Sequence, residues 1–249
     1  MYNYKLSKAY ATQQDEDDAL KNYRAQFYLP KDPQGNPLIY MTGNSLGLQP
    51  KTTNSYVNQE LKDWAQLGVE GHFEAKNPWL SYHELLTENM AHVVGAKPQE
   101  VVVMNTLTTN LHLMMVSFYK PTAKRYKILI ESDAFPSDKY AVESQLRHHG
   151  YNHKDGIIYW SPRAGENILR HEDLESILKT QGEEIALIML GGVNYYTGQF
   201  LDLKLITNLG HAKGCHVGFD CAHGAGNVAL NLHDSGADFA VWCTYKYLN

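Results

Sequence analysis

Short apolar segments of strand length alternate with helix-like segments over most of the chain, and this alternation limits the possible folds more than any other feature. The apolar segments lie at residues 101–104, 126–130, 157–160, 185–190, 215–220 and 239–243. Helical patterns separate them, for example at residues 172–179 and 203–213. Strands that alternate with helices form parallel sheets covered by helices. The sequence therefore predicts an α/β fold with a mostly parallel central sheet and helices on both faces.

Two of these segments end in charged residues. Asp220 ends the segment at 215–220, and Lys246 follows the segment at 239–243 after a short polar step. The 26 positions between them suit a strand, a crossover and a parallel strand, which would place both residues at the carboxyl ends of neighbouring strands. A lone lysine at a strand end is usually solvated. Together with a strand-end carboxylate, however, it provides what pyridoxal phosphate needs, an amine for a covalent bond and a carboxylate for the ring nitrogen.

Other turns could hold ligands or could be purely structural. The hydroxyl-rich turn 105–110 precedes an apolar helix predicted at 111–118, so it is either an anion site at a helix N-terminus or a plain threonine cap. Asp138 begins a predicted helix and could cap it, bind a ligand, or do both. The loop 42–47 is as compatible with a structural turn as with a ligand-binding loop.

The first hundred residues show weaker patterns. We expect helices at residues 1–29, 53–66 and 79–94. We also expect a short strand at 38–41 and a buried strand at 101–104. The loop predicted at 71–79 mixes aromatic and cationic residues and could bind a ligand.

Composition excludes several classes of function. The 249 residues are 43% hydrophobic and 20% charged with a net charge of -5, as in an ordinary globular protein without a basic surface for nucleic acid. The sequence has no apolar stretch typical of a signal peptide or membrane span, so we expect no membrane association. Three cysteines without CxxC spacing indicate reduced thiols and a cytoplasmic location.

Two motifs point to other ligands only weakly. Gly224 to Ala229 matches the dinucleotide-binding pattern G-x-G-x-x-A, but it lies late in the chain, and Asp220 to His223 separate its first glycine from the preceding apolar residues. His148, His149 and His153 lie among polar residues that indicate an exposed loop, so we expect no metal site.

Five motifs in the same order resemble those of the kynureninases, which are pyridoxal-phosphate enzymes of fold type I. The motifs are GNSLGLQP (43–50), LTTNLHLMM (107–115), FPSD (135–138), GFDCAHGAGN (218–227) and WCTYKYLN (242–249). The resemblance covers nearly the whole chain after about residue 20. Five collinear motifs are more specific than any one of them.

The resemblance implies a role for each matching residue. Lys246 would hold pyridoxal phosphate covalently, Asp220 would pair with its ring nitrogen, and Tyr245 would lie near the phosphate and donate a proton. Lys246, Tyr245 and Asp220 are thus the implied catalytic residues. The other implied cofactor contacts are Leu107, Thr108, Phe135, Pro136, Ser137, Asp138 and His223, and the implied substrate contacts are Ser45 and His72.

The implied reaction is the hydrolysis of L-kynurenine, or of 3-hydroxy-L-kynurenine, to anthranilate or its 3-hydroxy form and L-alanine, by a homodimer. The implied domains are an N-terminal segment (1–50) that contributes to the small domain and dimer contacts, and a cofactor-binding large domain (51–249). Because the family continues into a smaller C-terminal domain, we expect this chain to lack that domain.

Two residues depart from the family pattern. Gly191 stands where a serine near the phosphate is expected, and Asn77 stands where an arginine is usual. The sequence leaves two alternatives open, namely another fold-type-I lyase or desulfurase and a catalytically incomplete fragment that serves as a dimerisation module.

Overall fold

The computed structural model of the protein describes residues 4–249. These residues divide into two compact units, residues 4–79 together with Asn249, and Leu80–Leu248. The functional division that the sequence analysis places after residue 50 stays a prediction.

The first unit contains three α-helices and two 3-10 helices. The helices are α1 (Lys8–Asp17), a 3-10 helix (Lys21–Gln26), α2 (Thr53–Leu67), a second 3-10 helix (Gly68–Glu70) and α3 (Gly71–Glu74). Gly68 ends α2 with a φ of 53°, a left-handed value that glycine adopts more readily than other residues. The predicted helix at 53–66 is therefore confirmed, with one additional residue at its end.

The strand predicted at residues 38–41 is wrong. Ile39 is 91% exposed and Met41 is 83% exposed, so their apolar side chains do not pack on a core. The adjacent backbone forms only an isolated bridge between Lys31 and Pro37. β-forming residues need a neighbouring strand and a buried face, and this segment has neither among the described residues.

The second unit contains the predicted α/β alternation. Its strands are β1 (Lys127–Glu131), β2 (Ile157–Trp160), β3 (Ile185–Gly191), β4 (His216–Asp220) and β5 (Phe239–Val241). Its α-helices are α4 (Thr87–Val94), α5 (Leu107–Phe118), α6 (Pro136–His148), α7 (His153–Gly156), α8 (His171–Gln181), α9 (Leu203–His211) and α10 (Leu232–Ser235). The 3-10 helices are Tyr82–Leu86, Pro98–Glu100 and Gly182–Glu184.

The five strands form one parallel sheet in the order β2-β1-β3-β4-β5. The carboxyl ends of parallel strands meet at one edge of the sheet. Three strands that are adjacent in the sheet, β1, β3 and β4, end there at Glu131, Gly191 and Asp220. Ligands of open α/β sheets bind at this edge. The parallel sheet is confirmed.

Side chains that alternate along the strands build one hydrophobic cluster on each face of the sheet. In β1, Ile128 and Ile130 belong to the cluster that contains residues of α5 and α6, whereas Leu129 belongs to the cluster that contains residues of α8 and α9. This alternation follows from the two-residue period of a strand. Helices therefore cover both faces, as the sequence predicts.

Residues 101–104 do not form the strand predicted from their composition. Val101 is buried, but Val102 is 48% exposed and Met104 is 39% exposed. Together with β5, this segment lines a groove of about 710 Å³. Its backbone forms no regular structure and pairs with no strand of the described residues.

Two helices begin earlier than predicted. Helix α5 starts at Leu107 because the side chain of Thr106 accepts a hydrogen bond from the Thr109 backbone N–H. Helix α6 starts at Pro136, which suits a first helical turn because proline has no N–H to satisfy. Asp138 is consequently the third residue of α6 and does not cap it.

Within residues 4–249, no helix has the length and apolar character needed to cross a membrane. The same residues contain no group of three or more side chains that could hold a metal ion. Cys215, Cys221 and Cys243 are buried free thiols.

Candidate active site

The parallel pairing of β4 with β5 brings Asp220 and Lys246 together. Asp220 is the last residue of β4, pairs in register with Val241 of β5, and is 7% exposed. Lys246 follows β5 in a turn that is closed by the Leu248 N–H donating to the Thr244 carbonyl (3.2 Å). Burial raises the pKa of Asp220, and the nearby charge of Lys246 partly opposes that rise. The amine and the carboxylate thus lie within electrostatic reach of each other.

Asp138 forms a carboxyl pair with Asp220. Asp138 is 8% exposed, and its side chain hydrogen-bonds to that of Asp220. Burial, followed by the charge of Asp220, raises the pKa of Asp138 to about 9. The pair therefore holds one proton near neutral pH, with Asp138 as the donor and Asp220 as the acceptor. A second donor to Asp220 is the Ala222 backbone N–H (2.7 Å).

A third buried acid, Glu131, adjoins this pair and was not among the predicted site residues. Glu131 ends β1 and is 4% exposed. The Asn194 side chain and the Gly191 backbone N–H donate to its carboxyl group, while its Oε2 is buried and has no hydrogen-bond partner among residues 4–249. Burial raises its pKa to about 7, and the charge of Asp220 contributes. Its position directly after an apolar strand was the signal that could have identified it.

Gly191 makes room for this acid. A Cβ atom at position 191 would lie 2.8 Å from Glu131 Oε1. The neighbour of Gly191 is thus a carboxyl group, and a serine there would displace it or hydrogen-bond to it.

His223 and Tyr247 continue the site beyond Lys246. The Nζ of Lys246 lies 3.1 Å from Nε2 of His223, and the Nδ1 of His223 lies 3.1 Å from the hydroxyl oxygen of Tyr247. His223 was predicted from the sequence as a site residue, whereas Tyr247 was not. Burial, followed by the charge of Lys246, lowers the pKa of His223.

The N-terminus of α5 provides the candidate anion site. Leu107 and Thr108 are its first two residues, whose backbone amides have no acceptor within the helix. In the preceding turn, Asn105 has a left-handed backbone conformation with a φ of 50°. The side chain of Asn110 donates a hydrogen bond to the Met104 carbonyl (2.8 Å) and so links the turn to α5. This geometry supports the anion site, and Thr106 is the threonine that caps the helix.

Tyr245 lines the same groove as the start of α5. The groove lies between residues 101–107 and β5, and both Leu107 and Tyr245 are among its lining residues. The Tyr245 side chain is 53% exposed and hydrogen-bonds to the thiol of Cys243. Burial, followed by the charge of Cys243, raises the pKa of the Tyr245 hydroxyl, so this group keeps its proton near neutral pH.

The FPSD motif surrounds the start of α6. Phe135 directly precedes the helix and is 47% exposed, and its ring makes an edge contact with Tyr195 (centroids 5.3 Å apart). Pro136 is the first helical residue, and the Ser137 hydroxyl lies 3.4 Å from Asp138 Oδ1. An exposed aromatic ring next to the buried acids is available to stack on a planar ligand.

The two predicted substrate contacts lie in the first unit. Ser45 is exposed in a turn in which its N–H donates to the Thr42 carbonyl (2.9 Å). His72 is exposed in α3 and makes an edge contact with Trp79 (5.6 Å). Their role in substrate binding stays a prediction.

Asn77 has a local structural partner in this unit. Its side-chain amide donates to Glu60 (2.8 Å), as does the Trp79 indole (3.0 Å). This accounts for an amide at position 77 without reference to a substrate.

The segment that matches the dinucleotide motif does not have the required structure. Residues 222–227 form consecutive turns, and no helix starts at the glycines. A phosphate would therefore find no helix N-terminus there.

The chain matches the family model described as Aminotransferase class-V over residues 39–249. It is 58% identical over 248 residues to the kynureninase of Myxococcus xanthus, covering 100% of this chain and 58% of that protein. It is 49% identical over 246 residues to the kynureninase of Homo sapiens, covering 94% of this chain and 53% of that protein. The chain thus spans a little over half the length of these curated relatives.

Solved structures share the fold at low sequence identity. The cystine C-S lyase C-DES, in a complex with cysteine persulfide, has a TM-score of 0.68 at 16% identity, covering 84% of this chain and 53% of that chain. The apo cysteine desulfurase from Thermococcus onnurineus has a TM-score of 0.67 at 18% identity, covering 99% of this chain and 55% of that chain. These similarities establish the fold alone.

Proposed function

Because the chain belongs to the class-V aminotransferase family, we propose that it carries the pyridoxal-phosphate site of a kynureninase. The proposed reaction is the hydrolysis of L-kynurenine, or of its 3-hydroxy form, to anthranilate or 3-hydroxyanthranilate and L-alanine, within tryptophan catabolism and pyridine-nucleotide biosynthesis. The observation that carries the proposal is the placement of Asp220 and Lys246 beyond neighbouring parallel strands, within electrostatic reach of each other. Relatives that are 49–58% identical and named kynureninase support the choice of substrate.

The chemistry of the donor set fits this cofactor. The buried pair of Asp138 and Asp220 can accept a protonated ring nitrogen, which would supply the positive charge that these acids lack. The free amides of Leu107 and Thr108 suit a phosphate. Phe135 can stack on a ring, and Lys246 supplies the amine for the covalent bond.

Each residue then has a task that its surroundings support. The bound cofactor supplies an electron sink for negative charge that develops on the substrate. Lys246 Nζ takes the α-proton of the substrate and returns a proton. Asp220 would stabilise a positive charge at the ring nitrogen, and Asp138 would keep the proton that it donates to Asp220. The Tyr245 hydroxyl, which keeps its own proton, donates it during cleavage.

We further propose a cytoplasmic homodimer. Helix α2 exposes Val57 (53%), Leu61 (54%) and Trp64 (66%) at positions that share one helix face. Exposed apolar patches often mark protein interfaces. If α2 forms the interface, light scattering will give the mass of two chains, and Trp64→Glu will shift the protein to one; an unchanged mass would exclude α2 from the interface.

Cofactor attachment and turnover test the proposal separately. Incubation with pyridoxal phosphate, reduction with borohydride and peptide mass spectrometry should locate the cofactor on Lys246. Lys246→Ala should abolish the adduct, whereas Lys139→Ala, which removes a lysine from α6, should leave it unchanged. Absence of the adduct in the unmodified chain would refute the proposed site.

Turnover is measured by the fluorescence of anthranilate released from L-kynurenine. L-cysteine and L-cystine serve as competing substrates, because the solved structures with this fold include a cystine lyase and a cysteine desulfurase. Preferential cleavage of the sulfur amino acids would favour the alternative, a lyase or desulfurase. An adduct without any turnover would identify the chain as a catalytically incomplete cofactor-binding unit.

A further inference from the structure

A line of two hydrogen bonds leads from the candidate catalytic amine to a tyrosine that the proposed function leaves without a role. Lys246 Nζ and His223 Nε2 are 3.1 Å apart, as are His223 Nδ1 and the Tyr247 hydroxyl oxygen. The imidazole and phenol rings meet edge to face with centroids 6.0 Å apart. The imidazole thus uses both nitrogens, one toward the amine and one toward the phenol.

We propose that Tyr247 is a positioning residue that selects the tautomer of His223 and, with it, forms a proton path between Lys246 and solvent. The inference rests on the proposed function, since it assigns the route by which the amine of that site loses and regains a proton. Tyr247 is suited to be the outer end of the path because its side chain is only partly buried.

The protons balance along this path. With Lys246 as an ammonium ion, Nζ donates to Nε2, and neutral His223 carries its proton on Nδ1 and donates it to the Tyr247 oxygen. One transfer along each bond moves a proton from Lys246 Nζ to Nε2, which leaves a neutral amine, and moves the Nδ1 proton to the Tyr247 oxygen. The original hydroxyl proton of Tyr247 passes to water, while the proton received from Nδ1 remains as the new hydroxyl proton. The reverse sequence returns a proton to Lys246.

The groups around the path favour these states. Burial and the charge of Lys246 lower the pKa of His223, which keeps the ring neutral and both tautomers accessible. Burial, followed by the charge of Cys243, raises the pKa of Tyr247, so the phenol both donates and accepts a proton. Asp220 and the Cys243 thiol interact electrostatically with Lys246; Asp220 ends β4, and Cys243, whose pKa is raised by burial, follows β5.

His223 is also held in place through its backbone. The Asn227 side-chain amide donates to the His223 carbonyl (3.0 Å), which fixes the turn that carries the imidazole. Because the backbone is held independently of Tyr247, removing the phenol oxygen should change the tautomer of His223 without moving the turn.

The first test is independent of the cofactor. In the 249-residue chain labelled with ¹⁵N-histidine, the nitrogen shifts of His223 report its tautomer as a function of pH. Tyr247→Phe should alter the tautomer ratio of His223, whereas Tyr140→Phe, which changes a 67% exposed tyrosine of α6, should not. An unchanged ratio in Tyr247→Phe would overturn the inference.

The second test measures the rate at which pyridoxal phosphate attaches to Lys246. Proton transfer by positioned groups contributes about 10²–10⁴-fold to rates, so Tyr247→Phe should slow attachment by at least about tenfold. High concentrations of imidazole buffer should restore the rate, and Tyr247→His, which retains a donor and an acceptor, should keep it. Slowing that neither imidazole nor histidine relieves would show a purely structural role and overturn the inference.

The outcomes separate the inference from the proposed function. Absence of an adduct in the unmodified chain refutes the function, and the tautomer measurement then decides the inference alone. Equal attachment rates in the unmodified chain and in Tyr247→Phe overturn the inference while the function stands.

Discussion

Replacing Glu131 by glutamine tests how the buried acids at the strand ends are protonated. Glu131 is 4% exposed, and one of its carboxyl oxygens finds no hydrogen-bond partner in the described part of the chain. Burial is the main cause that raises its pKa from the ordinary 4.5 to about 7, and the charges of Asp220 and Asp133 add to the rise. Glutamine has nearly the same shape but does not titrate, so Glu131→Gln removes this proton-binding group with little change in packing.

The expected change in stability follows from linkage between protonation and folding. An acid whose pKa is higher in the folded than in the unfolded state stabilises the fold fully below the unfolded pKa, and this contribution is lost as the pH rises through the folded pKa. For Glu131 the window extends from about pH 4.5 to about pH 7. Between pH 5 and pH 8 the free energy of unfolding should therefore fall by about 2.5 kcal/mol relative to Glu131→Gln.

The assay is urea unfolding of the cofactor-free chain and of Glu131→Gln at pH 5, 6, 7 and 8. Asp138 and Asp220 are present in both proteins, so the difference between the two reports the titration of Glu131 together with the effect of its charge on these neighbours. Glu175→Gln, which alters an exposed carboxylate of α8, is the matched control. A difference that stays constant within about 0.5 kcal/mol across this range, several times smaller than linkage requires, would refute the buried-acid interpretation.

Two substitutions test the packing and capping that hold the sheet and its helices. Gly218→Ala should lower the free energy of unfolding by about 1–3 kcal/mol, because a Cβ there would overlap the Phe239 ring. The control is Gly43→Ala, because a Cβ at position 43 would meet no atom within 4 Å. Equal stabilities of the two variants would contradict the close packing at Gly218. Asp202→Ala should cost about 1 kcal/mol because the Asp202 side chain accepts from the Leu205 N–H (2.9 Å) at the start of α9. Asp202→Asn should retain most of that stability in the same thermal unfolding assay, and an equal loss in both variants would contradict the cap.

The sequence predicts the sheet well where an apolar run has a partner strand. Residues 157–160 form β2 with the predicted bounds, and residues 185–190 lie within β3. Segments with similar composition but no partner strand are the ones predicted wrongly. Val102 and Ile39 have high β propensity, yet a strand also requires a neighbour, and the local sequence does not specify that neighbour.

The candidate site was predictable where charged residues lie at or shortly after strand ends. Asp220 ends β4, Lys246 follows β5 after a short turn, and Asp138 lies near the start of the helix after β1. Glu131 also ends a strand but was not predicted, because a charged residue at a strand end is usually solvated and the local sequence does not show its burial. Tyr247 could not be identified because its role depends on how the turn after β5 directs its side chain.

The acids of the site explain why it should bind a cation. Glu131, Asp138 and Asp220 are each less than 9% exposed, and burial raises the pKa of all three. A ring nitrogen that carries a positive charge beside Asp220 would lower these pKa values and release protons held by the pair. The positive charge of the ligand would then offset the free-energy cost of ionising the buried acids. The ionised acids lower the stability of the cofactor-free fold at high pH, and at the same pH they strengthen ligand binding.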